Sequence, residues 1–148
     1  MIQNKEKMEN NFNFKSQICT SREQSERLLA LGLKKETADC YWWQENDQYG
    51  DSNGKWHLEV LDTKEAREHF EYLDKIFDDD LFIPAWSLWR LLALVNGEGW
   101  RAEITLRDEK YGIHYGYDTC GYNDIFEAVI AWIEADIMED YFNKEYLV

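Results

Sequence analysis

The sequence predicts an α+β fold: a small antiparallel sheet of about three to five strands, with helices packed mainly on one face. Two observations carry this. The stretches at 56–60 and 100–117 alternate apolar and polar residues, the period of two that a half-covered strand requires. The stretches around 62–77 and 124–141 instead repeat their apolar residues every three or four positions, as amphipathic helices do.

Residues 1–17 are rich in Asn and Lys and lack periodicity. They read as a loose arm ahead of one α+β domain spanning 18–148. Structure is expected to begin at CTSREQSERLLALGL, where Thr20 with Glu23, or Ser21 with Gln24, fits a capping box. Gly32 stands where a left-handed helix stop belongs, and apolar Leu33 follows it. KKETADCYWW can hold one further helical turn before the chain extends at Tyr41. Two extended segments then surround a polar, Gly-containing loop. In the second, Trp56, Leu58 and Val60 alternate with His57 and Glu59. The next helix has Asp62 and Glu65 as a capping pair, with Ala66, Phe70, Leu73 and Phe77 on one stripe, and ends at the acidic run 78–80.

FIPAWSLWRLLALVNG, at 82–97, carries Arg90 as its only charge. Pro84 suits a helix start, Ser87 an alternative N-cap, and Asn96-Gly97 a stop. A helix apolar nearly all round belongs in a core, so this stretch is expected to be the central core helix. After it, Trp100, Ala102, Ile104 and Leu106 alternate with polar residues. Beyond a polar turn, Tyr111, Ile113, Tyr115 and Tyr117 do the same. The last helix, capped by Asn123 or Asp124, buries Phe126, Val129, Ile130, Ile133 and Ile137. Its outer face would carry Glu127, Glu134, Asp136, Glu139 and Asp140.

Composition narrows the function classes. The chain has 148 residues, enough for one domain with a real core. Sixteen basic against thirty acidic residues give a formal charge of −14. Phosphate backbones and anionic membranes call for clustered Lys and Arg, so direct nucleic-acid or membrane-surface binding is not expected. A basic protein partner, or mimicry of DNA charge, remains compatible, and the acidity also serves solubility. Three widely spaced cysteines, 19, 40 and 120, do not look like a disulfide framework. The N-terminus lacks the apolar run of a signal peptide, so a cytoplasmic location is expected.

The chemical motifs fail on inspection. With Gly54 at position six of a calcium loop, Tyr49 and Val60 fall where Asp and a bidentate Glu are required. His57, His69 and His114 lie on separate elements without metal-ligand spacing. His57 and His114 occupy polar strand phases and are expected to be exposed. Gly97 and Gly99 follow a helix and precede a strand, the reverse of a phosphate-cradling loop. No catalytic, cofactor-binding or metal-ligating residue is therefore assigned, and no cofactor is expected. The adjacent Trp42 and Trp43 are different. In a strand they point to opposite faces and both bury only if both faces are covered, so one of them, or a tyrosine of the 111–117 strand, is a candidate contact residue.

Three stretches, TSREQSERLLALGLKKETADCYW, IPAWSLWRLLALV and the closing FNKEYL, resemble a group of short hypothetical proteins from gut bacteria and their phages or mobile elements. The likeness implies an accessory, phage-linked role and carries over no catalytic residue. The sequence thus leads to a protein-interaction module with Trp42, Trp43, Glu134, Asp136, Glu139 and Asp140 as candidate partner contacts. The alternatives are a DNA-mimic inhibitor, or a small-molecule binder or enzyme with a tyrosine-lined pocket at the 100–117 hairpin near His114 or Glu103.

Overall fold

The computed structural model describes residues 16–46, 52–76, 81–95, 103–115 and 117–148. The expected arm (up to residue 15), the calcium-like loop at 47–51, Phe77 with the acidic run, Asn96-Gly97, Trp100 and Ala102 lie outside them. In chain order come α1 (Arg22–Ala30), a 3-10 turn (Lys35–Thr37), β1 (Cys40–Asn46), β2 (Ser52–Val60), α2 (Lys64–Ile76), β3 (Phe82–Ala85) and α3 (Leu88–Val95). Then follow β4 (Glu103–Arg107), β5 (Lys110–Tyr115), β6 (Tyr117–Tyr122), α4 (Ile125–Met138) and a second 3-10 turn (Lys144–Tyr146). The fold is α+β, with wholly antiparallel strand pairing. The strands divide between two three-stranded sheets, ordered β2-β1-β3 and β4-β5-β6.

Local chemistry explains the ends of α1. Ser21 Oγ accepts from the Gln24 N–H at 3.2 Å, and Gln24 Oε1 accepts from the Ser21 N–H at 3.0 Å, a reciprocal capping box. At the other end Gly32 has φ +99°. Its N–H reaches the Leu29 carbonyl, and the Leu33 N–H reaches the Leu28 carbonyl. That pair of bonds satisfies two carbonyls the helix would otherwise leave open. On α2 the cap is Thr63, whose Oγ1 accepts from the Ala66 N–H, rather than the expected Asp62.

The stretch at 82–97 departs from expectation. Its first four residues form β3, all buried, paired with the central strand β1. Pro84 is tolerated because β3 is an outer strand of its sheet. The helix starts only at Leu88, where Ser87 Oγ accepts from the Arg90 N–H and Asp39 holds Ser87 through both its N–H and its hydroxyl. This helix buries Leu91, Leu94 and Val95 but leaves Trp89 81% exposed. The central core helix is instead α4. It buries Phe126, Ala128, Val129, Ile130, Trp132 and Ile133 against β5, β6, α1 and α3.

Trp86, fully buried, stands between β3 and α3 and belongs to the same large core as Ile113 and Trp132. Its indole N–H donates to Thr37 Oγ1 at 2.9 Å. It therefore inserts a side chain from the end of the first sheet into the core beneath the second. The cysteine reading is also corrected: Cys19 and Cys40, both buried, are joined by a disulfide. Sequence spacing missed it because the two meet only when β1 pairs with β3 and the segment before α1 bridges to Ser87.

Candidate functional site

Pairing register decides what each face of the first sheet carries. Tyr41 stands opposite Glu59 and Pro84, and Trp43 opposite His57 and Phe82. Directly opposed residues share a face, and here α2 covers that face with His69, Phe70 and Leu73. The other face bears Cys40, Trp42, Leu58 and Ala85 and is covered by Cys19. Trp42 donates its indole N–H to the Thr20 carbonyl at 2.9 Å, and the Arg22 guanidinium lies 4.5 Å above the Trp56 ring. Both faces are thus covered, and both candidate tryptophans are half-buried.

Beneath α2 an aromatic cluster gathers two histidines. Trp43 stacks on His57, with ring centres 4.7 Å apart, and meets His69 edge-on at 5.2 Å. His57 is thus partly covered and not simply an exposed strand residue; its polar phase points at a face that a helix shields. Tyr41 is fully buried, and its hydroxyl lies 2.7 Å from His69 Nδ1. Burial, and after it the negative charge of Glu59, push the Tyr41 phenol up to about 12. At neutral pH it therefore keeps its proton, and the hydroxyl and Nδ1 share one hydrogen bond. His57 Nε2 lies 3.1 Å from Glu45 Oε1 without hydrogen-bond alignment, and the Trp43 indole N–H is buried without a partner among the described residues.

The acidic candidates sit elsewhere, at the far end of α4. Glu134, Glu139 and Asp140 are exposed, and Lys144 lies 3.3 Å from Asp140. Asp136 is a correction: it is 8% exposed, so it faces inward and not along the acidic side. The chain folds back over it, with the N–H groups of Tyr141 and Phe142 both reaching its carbonyl. Trp42 and Trp43 lie in the first sheet and α4 packs on the second, so the predicted contacts do not form one surface. Glu127 joins no acidic patch either. Burial raises its pKa, but hydrogen bonds from Arg27 and Gln24 and the charge of Arg27 outweigh that and hold the carboxyl below its ordinary value. Gln24 also binds Asp124 at 3.1 Å, so this network docks α1 on the start of α4.

The feature that sequence reasoning missed is Trp89. Its helix looks apolar on all sides, so nothing in the periodicity marks it as outward-facing. In the structure it is 81% exposed on α3, beside exposed Arg90. The Cys19–Ser87 bridge also brings Ile18, 63% exposed, to the start of that helix. Two open hollows of about 280 and 340 Å³ lie against α1, the larger lined by Glu26, Lys35, Asp74, Phe82 and Pro84 among others. Among the described residues, neither is lined by the 103–115 strands, where Glu103 is exposed. Among the described residues no three His, Cys, Asp or Glu side chains gather as metal ligands, and no helix is long and apolar enough to cross a membrane. No protein-family model, curated protein or solved structure matches the chain.

Proposed function

We propose that the protein works by docking another protein, with Trp89 as the anchor. The observation that carries this reading is an indole left 81% in water on a helix whose other face is firmly packed. Trp and Arg are the residues most enriched among side chains that dominate binding energy, and Trp89 and Arg90 stand together with Ile18 nearby. A net charge of −14 favours a partner with a basic rim and speeds encounter with it. Glu134, Glu139 and Asp140 are among the exposed acidic residues that contribute to this charge. An accessory, phage-linked setting, expected from the sequence, belongs to the same proposal. The inward turn of Asp136 removes one carboxylate from the row that a DNA mimic would need, and so favours the protein partner.

The test is capture of partners on immobilised protein, comparing the native chain with Trp89→Ala at low and high salt. A partner held by the native chain should bind at least roughly tenfold more weakly to the variant, and should weaken with salt. Identical capture by both chains, with the variant folded by circular dichroism, refutes the reading.

A second reading has its own observation. The buried Trp43 indole N–H and the unaligned His57 Nε2 offer two polar atoms to a small acceptor-bearing molecule. A metabolite library screened by NMR on the indole N–H signals tests it: a shift confined to Trp43 supports the reading, and silence across the library rejects it.

A further inference from the structure

We infer that β4 is a self-complementary edge through which two copies of this chain pair into a continuous six-stranded sheet. Among the described residues the strand is the outermost of its sheet, and its register with β5 is regular from Glu103 to Arg107. It contains no proline and no bulge, two of the devices that protect an exposed edge, and its charges stand only at its ends, Glu103 and Arg107. Ile104 is 44% exposed and Leu106 60% exposed, although the residues opposite them, Ile113 and Tyr111, pack in the core. The apolar face of the sheet therefore runs on past its helical cover to an open border.

The hydrogen-bond phase points the same way. Asp108 and Glu109, with φ of +51° and +61°, form a two-residue turn closed by the Arg107–Lys110 pair. In such a hairpin the closing pair exchanges both of its backbone bonds, and bonded and non-bonded pairs alternate from there. Arg107, Thr105 and Glu103 thus point their backbone groups inward to β5, while those of Ile104 and Leu106 point outward. An antiparallel second copy centred on Thr105 would face each outward group with its complement: Ile104 with Leu106 of the other copy, twice over. Four backbone hydrogen bonds follow.

The side chains match in the same register. Ile104 and Leu106 of both copies meet on the helix-facing side as a four-residue apolar cluster. On the opposite side, Glu103 of each copy stands across from Arg107 of the other, with Thr105 against Thr105 on the two-fold axis. The sequence EITLR reads as its own complement: acid–apolar–Thr–apolar–base. Two-fold pairing of identical surfaces is the commonest way a soluble chain self-associates. This inference stands apart from the Trp89 surface, because it concerns a different sheet border and a different occupant.

The experiment is a dilution series followed by sedimentation equilibrium, on the native chain, Glu103→Arg, Arg107→Glu, the double reversal and Leu106→Lys. Each chain is checked for folding by circular dichroism. The native chain should show a reversible monomer–dimer equilibrium. Each single reversal sets like charges opposite at two symmetric places and should weaken the dimer roughly tenfold or more. The double reversal restores both pairs and should recover most of that loss, while Leu106→Lys should abolish the dimer. A native chain that stays monomeric throughout overturns the inference. So does a dimer for which the double reversal is no better than the single ones, because that pairing uses another register or another surface. Trp89→Ala should leave the equilibrium unchanged, which separates this inference from partner docking.

Discussion

The two sheets each have three antiparallel strands, yet they meet water differently. The first is covered on both faces, by α2 on one side and by Cys19 and the approach to α1 on the other. The second packs β5 and β6 on α4, and its β4 border stays open. The same alternation of side chains therefore has opposite outcomes. In the first sheet the polar phase of β2 is partly covered, so His57 stacks on an indole. In the second the apolar phase of β4 reaches solvent, so Leu106 is exposed. Which phase is buried depends on the cover that each face receives, and an individual strand does not encode that cover.

Breaking the link between the halves should have the largest effect. Trp86→Ala removes a fully buried indole shared by the end of the first sheet and the core under the second. We expect a loss of about 3–5 kcal/mol in urea unfolding. Next is the covalent tie of the first sheet. Cys40→Ser opens a loop of sequence separation 21 and should cost about 3 kcal/mol. In the unreduced native chain a thiol titration under denaturant should find one thiol of the three.

A single cross-strand pair in the second sheet sharpens the contrast further. Ile113→Ala, at a 1% exposed position, should cost about 2–4 kcal/mol. Ile104→Ala, directly opposite, should cost less than about 1 kcal/mol in the monomer. Equal losses would mean that the border is covered after all.

Tyr41→Phe should likewise have a small effect, about 1 kcal/mol for the lost hydrogen bond to His69. It should also change the alkaline limb. The folded phenol titrates near 12 and the unfolded one near 10. Stability from the neutral phenol is therefore complete below about pH 10 and is lost as pH rises toward 12. The Phe variant should lack that share of the decline in pH-dependent melts.

Elements with their own local chemistry were legible in the sequence. The Ser21–Gln24 box, the Gly32 stop, the antiparallel β4–β5 pairing and the inner stripe of α4 all stand where periodicity and capping put them. Each is determined by residues within a few positions of one another. What failed depended on partners distant in the chain. Phe82 to Ala85 is a short apolar run without a period, and only pairing with β1 makes it a strand. Ser87 is a cap in both views, but the helix it starts is a surface helix because α4 already occupies the centre. Asp136 turns inward because the chain folds back after Glu139, which a helical stripe cannot reveal. Of the candidate contacts, Trp42 and Trp43 met their stated condition for burial, two covered faces. The exposed tryptophan was Trp89, which the apolar run concealed.

The Cys19–Cys40 bond also acts as a tether. It closes a covalent ring around α1, while the helix itself is held to the start of α4 through Gln24 and Arg27. If thermal motion pulls α1 off α4, the ring keeps it beside the first sheet, within reach of the site it left. Rebinding is then intramolecular, governed by a local effective concentration and not by chance return of a free segment. The three hydrogen bonds of that interface, two part-buried and one exposed, can therefore remain individually weak and still hold α1 on α4 most of the time.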